Sequence, residues 1–183
     1  MQTIYTVSSL ETNIKNTEAQ KVLQKQIDQS RSLLVYLIYF LTEVIRYAEK
    51  DAHQKASKHL PTAEDLSTNT KIAGNDLLWK ILEDEALKKQ FASEKPELCT
   101  DKELIRKVYL TLKDTTEYKT YISSSTREKK EESKIIDFIL NDLMLANELF
   151  VSHIEENFSN WDDDGEMVVQ LLVGYLQKPG SIN

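Results

Sequence analysis

From Thr17 to Ser57 the chain runs for 41 residues without a single Gly or Pro. No strand and turn pattern fits such a stretch, because tight turns draw on those two residues. Its apolar positions are Ala19, Leu23, Ile27, Leu34, Leu37, Leu41, Val44, Ala48 and Ala52. They step by three, four or seven, which holds them on one helical face. The stretch is therefore expected to be one long helix, with Thr17 as N-cap and Gln20 completing a capping box. Within it, Leu33–Leu41 reads LLVYLIYFL. Nine apolar residues are too few to cross a bilayer, which takes about twenty. A helix turn buried on all sides is the expectation.

The same scarcity of breakers holds throughout, with 4 Gly and 3 Pro in 183 residues. Met1–Leu10 has helical character and looks like the tail of a helix. Lys58–Asn75 is a loop, broken by Pro61 and rich in Ser, Thr, Asn and Gly. Asp76–Glu83 is a short amphipathic helix, with Leu77, Leu78, Ile81 and Leu82 inward. Ala86–Ala92 continues after an acidic corner, and Pro96 breaks it. Thr100 with Glu103 reads as a capping box ahead of Leu104, Ile105, Val108, Tyr109 and Leu112. Asp114 repeats the start signal before Tyr118, Tyr121 and Ile122. The polar run Ser123–Glu132 reads as a loop or a solvated face, because its charges cancel. Ser133–Asn157 is expected to be a second long helix, carrying Ile136, Ile139, Leu143, Ala146, Phe150 and Ile154. Asp162 or Asp163 then caps a last helix with Met167, Leu171, Leu172, Tyr175 and Leu176 inward, ended by Pro179 and Gly180. The expected fold is all-α: one helical domain over residues 1–183, a bundle with the two long helices side by side.

Charge narrows the function. The net charge is −7. Met1–Leu60 carries 8 Lys/Arg and 6 Asp/Glu, leaving 15 and 24 for Pro61–Asn183. A surface so acidic repels phosphate, which argues against non-specific nucleic-acid binding, and any RNA contact must be local, near the N-terminus, or shared with a basic partner. The single cysteine, Cys99, gives no internal disulfide. No signal peptide is evident, and the cytoplasm is the expected compartment.

Catalytic and metal signatures are missing. His53, His59 and His153 lack ligand spacing with one another and with Cys99. Cys99 lies before a helix start, which can lower a thiol pKa, but no base adjoins it in sequence. Asn160–Gly165, NWDDDG, resembles the start of a calcium loop, but its twelfth position is Leu171 instead of Glu. No Walker, dinucleotide, nucleophile-elbow or HExxH motif occurs. The residues point to no catalytic, cofactor-binding or metal site, and they leave RNA-contacting residues undefined.

Several stretches resemble a known family. MQTIY at Met1 is similar to the first helix of the bacterial transcription antitermination factor NusB. LLVYLIYFLTEVIRYAE, Leu33–Glu49, resembles the second long helix of the extended Bacteroidetes-type members. KHLPTAEDLSTNTKIAGNDLL, Lys58–Leu78, is similar to their loop NKHLPTxEDLNPNTKFxxNxLL. ELIRKVYLTLKDTTEYKTYIS, Glu103–Ser123, resembles LVRKIYxxLxxSxEYxxYM. ANELFVSHIEENFSNWDDD, Ala146–Asp164, resembles NExLxxxLEExxxxWxDD. The stretches follow in order along nearly the whole chain. Lys58–Leu78 is the most specific, on the ground that a loop needs no particular sequence to fold.

The resemblance implies a non-enzymatic, cytoplasmic factor in antitermination and ribosomal-RNA biogenesis, with no membrane association. It implies binding to boxA-type ribosomal-RNA leader together with a NusE-type small-subunit ribosomal protein. Residues 1–57 would be the NusB-like N-terminal helices and 58–183 a lineage-specific helical region. The family's basic N-terminal motif and its C-terminal half have no counterpart here. The expectation is an N-terminal and middle portion with weak intrinsic RNA binding. A helical protein–protein scaffold that binds no RNA is the alternative.

Overall fold

The computed structural model describes residues 16–177, with side chains from Glu18 onward. Among them there are helices and no strand. In chain order these are α1 (Asn16–Ala56), α2 (Ala63–Leu66), a 3-10 turn (Lys71–Gly74), α3 (Asp76–Glu83) and α4 (Glu85–Glu94). A second 3-10 turn (Pro96–Leu98), α5 (Lys102–Asp114), α6 (Thr116–Ser123) and α7 (Lys129–Phe138) follow. A π-helical segment (Ile139–Leu145), α8 (Glu148–Asn157) and α9 (Trp161–Gln177) complete the order. The expected tail of a helix at Met1–Leu10 and the Pro179–Gly180 stop lie outside the described residues, whereas Thr17, expected as the cap, lies inside α1, which already includes Asn16.

The long first helix forms as its pattern predicts. Its 41 residues extend about 60 Å at 1.5 Å each. Seven of the nine residues in Leu33–Leu41 are buried, with Leu33, Leu37 and Phe40 at 0% exposure. Val44, Ile45 and Ala48 prolong the contact. This half of α1 is the axis of the core, and α5 and α9 pack along it. The other half departs from expectation. Leu23 and Ile27 share the apolar stripe yet are 45% and 50% exposed. A periodic stripe shows which face a helix would bury, but not how far its neighbours reach.

The second long helix is not continuous. α7 passes into the π-helical segment, where the N–H of Ala146 donates to Asn141 O, five residues back, at 3.2 Å. Asn147 then ends the run and starts the next, its Oδ1 accepting from the N–H groups of Leu149 and Phe150. An Asn followed by Glu is an N-terminal signal that the unbroken apolar spacing conceals. Ile136, Ile139, Leu143, Phe150 and Ile154 are buried, but Ala146 is exposed at the break. The second-longest helix is α9, and there the inward set is also corrected. Val168, Leu172, Tyr175 and Leu176 are buried, whereas Met167 and Leu171 are half exposed.

Two caps move by one residue, and a third expected cap lies inside its helix. Asp101, not Thr100, caps α5 by accepting from Glu103 and Leu104 N–H groups. Thr100 instead donates to Pro96 O at 2.7 Å. Thr115, not Asp114, caps α6. α9 begins at Trp161, so Asp162 and Asp163 lie inside its first turn, where carboxylates suit the helix dipole. Leu77, Leu78 and Ile81 of α3 and all five predicted apolar residues of α5 are buried.

Candidate interaction surfaces

The stretch Lys58–Leu78 is held by many polar contacts. Thr62 and Asp65 form a reciprocal capping box on α2, at 3.1 and 3.0 Å. Lys58 Nζ donates to Asp65 Oδ1 at 2.7 Å. The Lys58 hydrogen bond and the Thr62 N–H hold the Asp65 carboxyl down at about 2. Further on, Asn69 Oδ1 accepts from the Lys71 N–H. Lys71 Nζ donates to Tyr121 O and Ser124 O, both at 2.7 Å, while lying 4.4 Å from the centre of the Tyr121 ring. The ammonium thus satisfies carbonyls at the C-terminal end of α6, where a cation is favoured.

The polar run after α6 returns the contact. The Arg127 guanidinium donates to Gly74 O and Lys71 O. Glu132, expected on a solvated face, is wholly buried. Its Oε1 accepts from Tyr121 OH at 2.8 Å and its Oε2 from the Asp76 N–H at 3.0 Å. Asn75 caps α3 through Oδ1 and donates from Nδ2 to Glu132 O. Loop and run therefore interlock, each supplying a cation to the other's free carbonyls. This corrects the premise that the loop's sequence is free of folding demands. Lys58, Thr62, Asp65, Asn69, Lys71 and Asn75 each have a structural task. The sequence signal was available in Thr62-x-x-Asp65, which has the spacing of a capping box.

At the far end of α1 a groove of about 530 Å³ separates its exposed half from the α8–α9 turn. Lys21, Gln24, Lys25 and Gln29 form one wall, and Asn157, Phe158 and Asn160 the other. Asp28 is engaged by Arg31 and Gln24, and Asp164 by Ser30 and Asn160. Lys21 and Lys25 have no carboxylate partner among the described residues. Phe158 lies 4.9 Å from the Tyr36 ring. The groove's amides, hydroxyls and the two ammoniums can donate to phosphate oxygens or base edges.

The residues weighed for chemistry are scattered. His53 and His59 are exposed. His153 packs against Tyr36, its Nε2 2.6 Å from the phenolic oxygen. Burial pushes the Cys99 thiol up, and its Sγ donates to Pro96 O. Gly165 lies inside α9. A Cβ there would meet the Trp161 ring at 2.9 Å, so glycine admits the indole. Among the described residues no three His, Cys, Asp or Glu side chains group as metal ligands. Nor is any helix among them long and apolar enough to cross a membrane. No family model matches the chain, and no curated protein or solved structure matches it.

Proposed function

We propose that the protein is a NusB-related, non-catalytic factor in antitermination and ribosomal-RNA biogenesis. It binds boxA-type RNA weakly alone and more tightly beside a NusE-type small-subunit ribosomal protein. One observation carries the reading. The stretch that most resembles the family, Lys58–Leu78, is the one whose polar residues interlock with Tyr121, Ser124, Arg127 and Glu132. A chain that shares the family's loop residues would share this interlock with them. RNA contact is assigned to the α1 groove. Lys21 and Lys25 have no carboxylate partner among the described residues there, whereas Pro61–Asn183 carries 24 acidic against 15 basic residues. Two phosphate contacts give a shallow salt dependence and modest affinity.

The test is fluorescence anisotropy of labelled boxA-type RNA, with a scrambled RNA as control, with and without the NusE-type partner. The expected result is weak binding alone, at least about tenfold tightening by the partner, and loss on Lys21→Glu with Lys25→Glu. Equal affinity for the scrambled RNA, or no response to the partner, overturns the reading. The acidity beyond Pro61 favours a second reading, a protein scaffold without RNA, which predicts partner binding that RNA does not alter.

A further inference from the structure

Along α9 the exposed positions include 163, 166, 167, 170, 171 and 174, spaced by three and four, so they form one outward face. At its centre are Met167 and Leu171, 48% and 49% exposed. Gly174 continues the line, and a Cβ there would meet nothing within 4 Å. The opposite side of the helix, with Val168, Leu172, Tyr175 and Leu176, is buried in the core and holds this face in position. An apolar line on an already fixed helix loses little further entropy on docking, which suits it to a contact.

The charge around this face has one sign. Residues 135–177 contain 9 Asp/Glu and no Lys or Arg, so the other 140 residues carry a net +2 and the negative charge of the chain is concentrated here. Asp142, Glu148, Glu155, Glu156, Asp162 and Glu166 are exposed and form no ion pair among the described residues. Exposed acids elsewhere do pair, as Glu85 with Lys88 and Glu103 with Arg106.

We propose that the outward face of α9 docks a cationic, amphipathic helix of another polypeptide, rich in Lys or Arg around an apolar stripe. The charge selects this occupant. Carboxylates in such number repel the phosphates of nucleic acid and of an anionic lipid surface, and they repel the same face of a second copy. A Lys or Arg side chain meets both features at once, because its aliphatic stem can lie on Met167 and Leu171 while its head reaches Glu166. The Met167 thioether adapts to partners of differing shape. The open space over Gly174 lets the backbone of the incoming helix come close. This inference is independent of the RNA reading.

Fluorescence anisotropy decides it, with two labelled helical peptides of about four turns as probes, one with Lys around a Leu stripe and one with Glu in place of every Lys. The full chain should bind the Lys peptide, more weakly as salt rises, and leave the Glu peptide free. Met167→Ser with Leu171→Ser should raise the dissociation constant at least about tenfold without lowering the melting temperature. Glu166→Lys should raise it at least about fivefold, whereas Glu49→Lys, the same change of charge at an exposed position of α1 beside α5, should leave it within about twofold. Binding of neither peptide, equal binding of both, indifference to the serine pair, or equal effects of Glu49→Lys and Glu166→Lys overturns the proposal. So does self-association that the serine pair abolishes, which would give the face to a second copy.

Discussion

Tyr121 donates its phenolic hydrogen to a wholly buried carboxylate, Glu132, at 2.8 Å. The second oxygen of Glu132 accepts from the Asp76 N–H at 3.0 Å, so one side chain joins α6, α7 and the start of α3. Burial, followed by the nearby carboxylate, pushes the Tyr121 hydroxyl well above its ordinary range, so it remains a donor at any working pH.

Glu132→Ala should destabilise the fold by about 2–4 kcal/mol, because it leaves a buried phenol and a helix-start N–H unpaired. Glu132→Gln keeps an acceptor oxygen and should lose less. Urea unfolding of the two variants checks this. Equal midpoints for Ala and the unmodified chain would mean that the network contributes nothing.

Much of this core was legible. The uniform apolar run Leu33–Leu41 and the 3.6 period of Leu104–Leu112 identify buried faces from spacing alone. Glu132 was not, because a glutamate between Glu131 and Ser133 looks like any solvated acid. Its burial comes from Tyr121 and Asp76, which lie 11 and 56 residues away. The break at Asn147 was hidden for a related reason. A π-helical segment keeps the apolar side chains inward while shifting their phase, so the spacing survives the interruption. The exposed half of α1 shows the opposite failure, a pattern without a described neighbour to bury it. The α1 groove was invisible because its two walls come from residues 21–32 and 157–160.

The acid limb of stability should report on Asp51. Burial raises its pKa, but the Lys55 and Lys113 ammoniums, at 2.8 and 2.9 Å from one oxygen, outweigh that, and the net shift is downward. A carboxylate with a lowered folded pKa binds its proton more weakly than in the unfolded chain. Its stabilisation is therefore complete above about pH 5 and is lost as pH falls through the ordinary carboxylate range and below. Asp51→Asn should lower stability at neutral pH and flatten the melting-temperature profile below about pH 5. A variant that keeps the original acid slope would remove Asp51 from that role.

Leu37→Asp places a carboxylate at a position with 0% exposure, among Leu33, Leu41 and Phe40. An unpaired charge there costs several kcal/mol, comparable to the whole stability of a small domain. The circular-dichroism melt should disappear, and a transition within a few degrees of the unmodified chain would contradict the assigned core.

Two glycines of α9 give a prediction of opposite signs from one substitution. In an exposed helix interior, Ala is favoured over Gly by about 0.8–1 kcal/mol. At Gly174, which is exposed, a new Cβ meets nothing within 4 Å. Gly174→Ala should therefore stabilise the protein by about that amount. At Gly165 the same methyl would stand 2.9–3.1 Å from three atoms of the Trp161 ring. The indole packs against the core and belongs to the first turn of α9, so it cannot rotate away freely. Overpacking of this kind costs about 1–3 kcal/mol, which exceeds the gain in helix propensity. Gly165→Ala should be net destabilising, and Trp161→Ala in the same chain should remove the penalty for adding the methyl. Thermal unfolding of the unmodified chain, the three single variants and the Gly165→Ala/Trp161→Ala double variant measures both terms, and the expected order places Gly174→Ala above the unmodified chain and Gly165→Ala below it. A stabilising Gly165→Ala would mean that the Trp161 ring yields at no expense, and that helix propensity alone governs both positions.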